Sequence, residues 1–161
     1  FLIKKKAINI HMGLSPFFRG TDCNFWALND GYGHLVGATI HYLSRKLDAG
    51  DIIYESTFDL SKNETAATLY KKANKEALRL FKKLIDSLVS GKDLPAIPQK
   101  LEDGVFYKRD SLDKFREVDP GLTSKEKSII ARALYFPPFE PAYEIVNGFK
   151  LYLVPSEKDS V

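Results

Sequence analysis

A single cysteine, Cys23, leaves nothing with which to form an internal disulfide and too few thiolates for a cysteine metal cage. No apolar run approaches the roughly 20 residues needed to cross a bilayer, so we expect no membrane partner. Long tracts of one charge are missing too. Lysine and arginine number 24 against 21 acids, and lysines such as Lys82 and Lys83 sit beside acids such as Asp86. A net charge of +3 spread in this way makes nucleic acid an unpromising partner. Nor is there a secretory signal. Phe1-Leu2-Ile3-Lys4-Lys5-Lys6 places its charge after its apolar residues, and no hydrophobic region follows, so the expected location is the cytoplasm. The sequence opens on Phe1 rather than Met, directly on what reads as a buried strand, and we expect an N-terminal portion to be missing.

What remains is ordinary globular composition: 44% hydrophobic and 28% charged residues in 161, room for one core with a small appendage. Ala7 to His11 alternates apolar and polar residues and predicts a strand, followed by a loop from Met12 to Gly20 shaped by Gly13, Pro16 and Gly20. Thr21 or Asp22 is placed to cap a short helix through Asn24–Leu28, which ends near Gly31 and Gly33. Val36–Leu43 and Ile52–Phe58 read as strands around a turn at Asp48-Ala49-Gly50. Leu69, Ala73, Ala77, Leu80, Leu84 and Leu88 recur at helical spacing, with Asn63 or Thr65 as N-cap and Gly91 just beyond the end. Past Gly91, Pro95 and Pro98 mark a linker, and Leu101–Tyr107 suggests a hairpin around Asp103-Gly104. Ser124–Tyr135 is helical in pattern and is stopped by Pro137 and Pro138. Asn147-Gly148 between two apolar runs is a strong hairpin signal. Alternating strands and helices argue for an α/β fold with a parallel sheet, extended by a small α+β tail.

Three polar side chains stand out: Asn9 and His11 at the end of one strand, and Asp48 in a turn after another. If the strand ends share a crevice, an amide, an imidazole and a carboxylate meet there. The amide is suited to stabilising an oxyanion and the other two to moving protons. Taken alone, Asn9 and His11 read equally as loop caps and Asp48 as a turn residue. His41, in an apolar strand, reads as a structural histidine, and Cys23 as a small buried apolar residue.

The segment Asn9-Ile10-His11-Met12-Gly13-Leu14-Ser15-Pro16, continuing to Arg19-Gly20, resembles the hallmark of the folate-dependent formyltransferase family. Leu47-Asp48-Ala49-Gly50 is similar to that family's second signature, and Gly37-Ala38-Thr39-Ile40-His41 to a strand between the two. The resemblance spans about Ala7 to Leu88. It implies the C-terminal half of a Rossmann-like formyltransferase domain over residues 1–92, with residues 93–161 as a C-terminal extension carrying a helix and a β-hairpin. It implies a formyl donor, 10-formyltetrahydrofolate, no metal, and an attacking primary amine. Asn9 would hold the formyl oxygen as it gains charge. His11 would assist it or take the amine proton, and Asp48 would orient His11 or relay protons while raising the imidazole pKa. The loop Ser44, Arg45, Lys46 and Leu47 would line the pteridine pocket.

Within the family, Tyr107-Lys108-Arg109, Ile130–Leu134, Phe136–Tyr143 and Asp22–Ala27 look closest to the nucleotide-sugar N-formyltransferases. The acceptor implied is the amine of a nucleotide-linked amino sugar, and a homodimer is compatible with that reading. Arg19 would suit an acceptor phosphate or else clamp its own loop. Trp26 would stack on a base or else fill the core. Two alternatives are methionyl-tRNA as acceptor and a non-catalytic ligand-binding remnant.

Overall fold

The computed structural model describes residues 7–155; the Phe1–Lys6 opening discussed above lies outside them. Three strands form the sheet that carries the site. β1 (Ile8–His11), β3 (Gly37–Tyr42) and β4 (Ile52–Thr57) lie in the order β1-β3-β4. Both pairings are antiparallel, which corrects the parallel sheet expected from the sequence. The connection between β3 and β4, residues 43–51, is too short for a parallel crossover, which takes roughly a dozen residues or more. The β1–β3 register sets Asn9 opposite His41 and His11 opposite Thr39. Because side chains alternate along a strand, these four share one face. Ala38 and Ile40 take the other, packed with Ile53 under Ala77, Leu80 and Leu84 of α2 (Ala66–Val89).

That helix begins where the sequence predicts. The Thr65 hydroxyl accepts from the Thr68 amide at 3.2 Å and completes a reciprocal capping box, and Gly91 follows in the left-handed region at φ 67°. The buried stripe runs from Leu69 to Leu84, whereas Leu88 is exposed. Twenty-four helical residues reach about 36 Å, while six-residue strands reach about 20 Å, so the last turns outrun the sheet.

The segment Met12–Gly20 is not simply a loop. It ends in β2 (Phe18–Gly20), which pairs in parallel with β5 (Val105–Tyr107), so the hairpin expected around Asp103-Gly104 does not form. Leu101–Asp103 instead makes a 3₁₀ turn that feeds β5 back toward β2. α1 (Cys23–Asn29) follows with Asp22 as its N-cap residue, but Asp22 is left-handed at φ 59° and its side chain caps nothing. α1 buries Cys23, Phe25, Trp26 and Ala27. These pack in one core with Phe18 and Leu69, with Ala133 and Leu134 of α3 (Ser124–Leu134), and with Ala142 of β6 (Ala142–Val146). A Thr123–Glu126 capping box starts α3, and β6 turns through Asn147 (φ 51°) and Gly148 (φ 82°) into β7 (Phe149–Leu153). Both φ values are those of the tight hairpin turn its sequence announces. The proline-marked stretch before β5 is tied down: Ile97 exchanges backbone hydrogen bonds with Ile52 at 2.8 and 3.0 Å. Among the described residues no helix is long and apolar enough to cross a membrane.

Candidate active site

Thr39 shapes the ground on which the site stands. Its hydroxyl donates to the Gly13 carbonyl at 2.9 Å and accepts from the Ser15 amide at 3.0 Å, which folds the chain sharply as it leaves β1. The turn after β3 then brings Asp48 back over the same face. Asp48 holds a left-handed backbone at φ 48°, a conformation aspartate tolerates better than most residues. Two residues on, a Cβ at Gly50 would lie 1.7 Å from the Tyr42 carbonyl oxygen, so only glycine fits. Gln99 Nε2 donates to the carbonyls of both Asp48 (3.2 Å) and Gly50 (2.6 Å), securing the turn from outside.

Asn9, His11 and Asp48 converge. Asn9 Nδ2 donates to Asp48 Oδ1 at 3.2 Å, and His11 Nδ1 stands 3.6 Å from Asp48 Oδ2. The Gly20 amide donates to the same Oδ2 at 3.0 Å. The sequence reading missed a fourth member. His41, only 1% exposed, places Nε2 at 3.2 Å from Asn9 Nδ2 and 3.4 Å from Asp48 Oδ1. Its Nδ1 donates to the Tyr42 carbonyl at 2.8 Å. The register supplies the link: in this antiparallel pair the residue two after Thr39 faces the residue two before His11.

The two imidazoles differ in chemistry. His11 Nε2 donates to the Phe18 carbonyl at 2.9 Å, which leaves Nδ1 toward Asp48. Burial pushes the His11 pKa below its usual 6.5, outweighing the upward pull of Asp48. Asp48 does raise it, as expected from the sequence, but by less than burial lowers it. For His41 the balance reverses. Burial is again the largest influence and acts downward, but the contact with Asp48 and the bond to Tyr42 carry the pKa above 6.5. Burial likewise works to raise Asp48, yet His41, His11 and the Gly20 amide together hold its carboxyl below the usual aspartate value. Cys23 Sγ lies 3.5 Å from His11 Nε2. Burial pushes its thiol up to about 12, so it stays protonated and packs as a small apolar residue.

The other predicted residues divide. Ser44, Arg45, Lys46 and Leu47 form an exposed loop running into Asp48, with the Ser44 hydroxyl donating to the Lys46 carbonyl at 2.7 Å. Leu47 is left 70% exposed beside the polar cluster, an apolar surface on which a planar ring could lie. Arg19 and Trp26, in contrast, stand as corrections to the acceptor-binding expectation. Arg19 is buried and its guanidinium is spent on the carbonyls of Pro16, Leu101 and Gly104. Trp26 is buried in the core, stacked on Tyr107 at 4.2 Å and edge-on to Phe25 and Phe115. Each takes the structural side of its two sequence readings.

A cavity of about 570 Å³ opens beyond the end of β1. His11 lies on its wall, along with Ile10 and Met12, the start of α1, Tyr70 of α2, the 3₁₀ turns around Arg109 and Asp113, and Phe136 and Phe139 after α3.

Residues 2–85 match the formyl transferase family. The chain is 30% identical over 155 residues to the GDP-perosamine N-formyltransferases of Brucella melitensis and Brucella abortus, covering 96% of this chain and 58% of each relative. It therefore spans well under two thirds of the length of the curated relatives it matches. Among solved structures, a 4-N formyltransferase from Francisella tularensis superposes with a TM-score of 0.81 at 29% identity, over 93% of this chain and 62% of that one. The formyltransferase PseJ from Anoxybacillus kamchatkensis, solved with UDP-4,6-dideoxy-4-formamido-L-AltNAc and tetrahydrofolate, matches with a TM-score of 0.59 at 32% identity, over 67% of this chain and 55% of that one. With the family match spanning more than half of its residues and its polar cluster assembled as that family's signature segments suggest, the chain belongs to the formyl transferase family.

Proposed function

We propose that the protein containing this chain transfers a formyl group from 10-formyltetrahydrofolate to the primary amine of a nucleotide-linked amino sugar. The observation that carries the reading is the convergence of Asn9, His11 and Asp48 from separate elements onto one face, beside a cavity that reaches His11. The relatives support the donor and acceptor classes: PseJ was solved with tetrahydrofolate and a formamido-sugar nucleotide, and the Brucella relatives are named for GDP-perosamine.

The folate supplies an activated formyl group. The amine nitrogen bonds to the formyl carbon, negative charge gathers on the formyl oxygen, the amine loses a proton, and the bond from carbon to the folate nitrogen breaks as that nitrogen is protonated. Asn9 Nδ2 carries two hydrogens, directed at Asp48 Oδ1 and His41 Nε2. When His41 takes a second proton, its Nε2–H turns to Asp48 Oδ1, and the Asn9 hydrogen formerly given to His41 is free for the formyl oxygen. His41 thus positions the oxyanion donor. His11 is the proton acceptor: its Nε2–H is committed to Phe18, its pKa is held low, and its free Nδ1 faces Asp48. Asp48 stabilises the imidazolium that forms, and His11 then returns the proton to the leaving nitrogen. Leu47 and the 44–47 backbone would receive the pteridine, a role that their exposure supports.

The test is mass spectrometry of amino-sugar nucleotides incubated with 10-formyltetrahydrofolate and the complete protein, with charged methionyl-tRNA alongside. A formylated sugar nucleotide supports the proposal. Formylation of the tRNA alone would replace the acceptor, and none at all would favour the non-catalytic alternative.

A further inference from the structure

β2 is only three residues long, yet it touches both proton-handling side chains of the site. Backbone groups alternate edges along an extended strand. On one edge the Phe18 carbonyl accepts from His11 Nε2 at 2.9 Å, and the Gly20 amide donates to Asp48 Oδ2 at 3.0 Å. On the other edge the Phe17 carbonyl accepts from the Val105 amide at 2.9 Å, and the Thr21 amide donates to the Tyr107 carbonyl at 3.1 Å. Among the described residues β5 is the one strand paired with β2, and it lies beyond the family-matched region. Two such short strands have little strength alone. Arg19 supplies what a third strand would. Its buried guanidinium donates through Nε to the Pro16 carbonyl at 3.3 Å, and through Nη2 to those of Leu101 and Gly104 at 3.2 and 3.5 Å. It thus ties the chain just before β2 to the chain just before β5. Among the described residues no carboxylate pairs with it, so the carbonyls alone compensate a buried charge and each bond matters. β5 is anchored in turn: Tyr107 stacks on Trp26 at 4.2 Å and its hydroxyl donates to Asp30 at 3.0 Å. Gly104 passes so close that a Cβ there would lie 1.8 Å from the Pro16 carbonyl oxygen.

From this arrangement we propose that Arg19 is a positioning residue for formyl transfer, and that Leu101–Tyr107 is a working part of the active site. Together they fix β2, and β2 sets His11 and Asp48 relative to each other. This role rests on the proposed function and deepens it. Arg19 acts through the backbone rather than at the reacting atoms. If β2 drifts, His11 Nε2–H loses the Phe18 carbonyl, and with it the constraint that leaves Nδ1 free to accept a proton. Asp48 at the same moment loses the Gly20 amide. Both losses follow from one displacement, because both groups lie on the same edge of one strand. Lysine would keep the charge at position 19, but its single ammonium lacks the rigid planar fork that spans the carbonyls of two segments.

The experiment compares Arg19→Lys and Arg19→Ala with wild type in the complete protein. Thermal melts confirm folding, and Arg19→Lys, which keeps the charge, carries the test alone where Arg19→Ala does not fold. Turnover should fall roughly tenfold in the lysine variant and roughly a hundredfold in the alanine variant, with KM for both co-substrates within about twofold of wild type. In an Asp48→Asn background, Arg19→Lys should cost less than about twofold more, because the groups it positions no longer act together. Histidine ring NMR gives a reading that needs no turnover. His11 faces Asp48 from the turn, His41 from β3 and Cys23 from α1, and burial is the largest influence on it. Loosening β2 admits water, so the His11 titration should move up toward 6.5, while His41, which has no bond to β2, moves less. A lower melting temperature with turnover and His11 titration unchanged would overturn the proposal, as would a loss in the Asp48→Asn background as large as in wild type. Wild-type formylation kinetics in folded Arg19 variants remove the positioning role alone. A shifted His11 titration in a protein that formylates nothing removes the proposed reaction and leaves the positioning standing.

Discussion

Asn9 on β1 and Asp48 in the turn after β3 are joined by a 3.2 Å hydrogen bond across a separation of 39 residues. The bond depends on two local devices: the β1–β3 register, which faces Asn9 toward His41, and the left-handed turn that returns Asp48 over that face. Anything that disturbs either device should reach the chemistry before it reaches the fold.

Gly13 is one such place. A Cβ there would sit 2.5 Å from His11 Nε2 and 3.0 Å from both side-chain atoms of Cys23. Gly13→Ala should push the imidazole off its bond to Phe18 and cut kcat roughly a hundredfold, the penalty for a misplaced catalytic group. Overpacking should cost only about 1–3 kcal/mol of stability, read as a modest fall in Tm. A wild-type rate in this variant would show that the His11 setting does not matter.

Gln99 is another. Gln99→Ala removes both bonds that hold the Asp48–Gly50 turn, worth about 1–2 kcal/mol together. Steady-state kinetics should show kcat reduced roughly tenfold, with the change in folding stability confined to that range by urea titration.

The imidazoles should titrate in opposite directions from 6.5: His11 below it and His41 above it. Two-dimensional NMR of the histidine ring signals would resolve them. Because Asp48 pulls both values upward, Asp48→Asn should lower both. If His11 titrated above His41 in the wild type, the assignment of His11 as the neutral acceptor would fail.

The same shifts fix the sign of the stability profile. His41 is raised in the fold, so its contribution is fully present below pH 6.5 and fades as pH rises through its folded value. Asp48 is lowered, so its contribution is present above its ordinary value of 3.8 and is lost as pH falls through its folded value. The stability gap between wild type and His41→Gln, from urea titrations, should therefore be widest near pH 5 to 6 and narrow on the alkaline side.

Much of this was legible in the residues. Thr65, Gly91 and the Leu69–Leu84 stripe announced α2, and Asn147-Gly148 announced its hairpin, because caps, stripes and tight turns are local chemistry. Asn9, His11 and Asp48 were legible through their motif context. Strand direction was not: alternation marks a strand but says nothing of its partner, and β2 with β5 is a pairing across the chain with no local turn to signal it. His41 was passed over because an apolar strand hides a histidine whose partner, Asn9, lies across the sheet. For Arg19 and Trp26 the residue type suited either role. Burial decided each, and burial is a property of the assembled core.

The most direct test measures single-turnover formylation in Asn9→Ala, His11→Ala and Asp48→Ala versions of the complete protein, with circular dichroism confirming that each is folded. The account predicts rates lower by roughly two orders of magnitude or more in every variant, and a double variant of Asn9 and Asp48 little worse than either single one, because the groups act as a unit. Folded variants that turn over at close to the wild-type rate would contradict it.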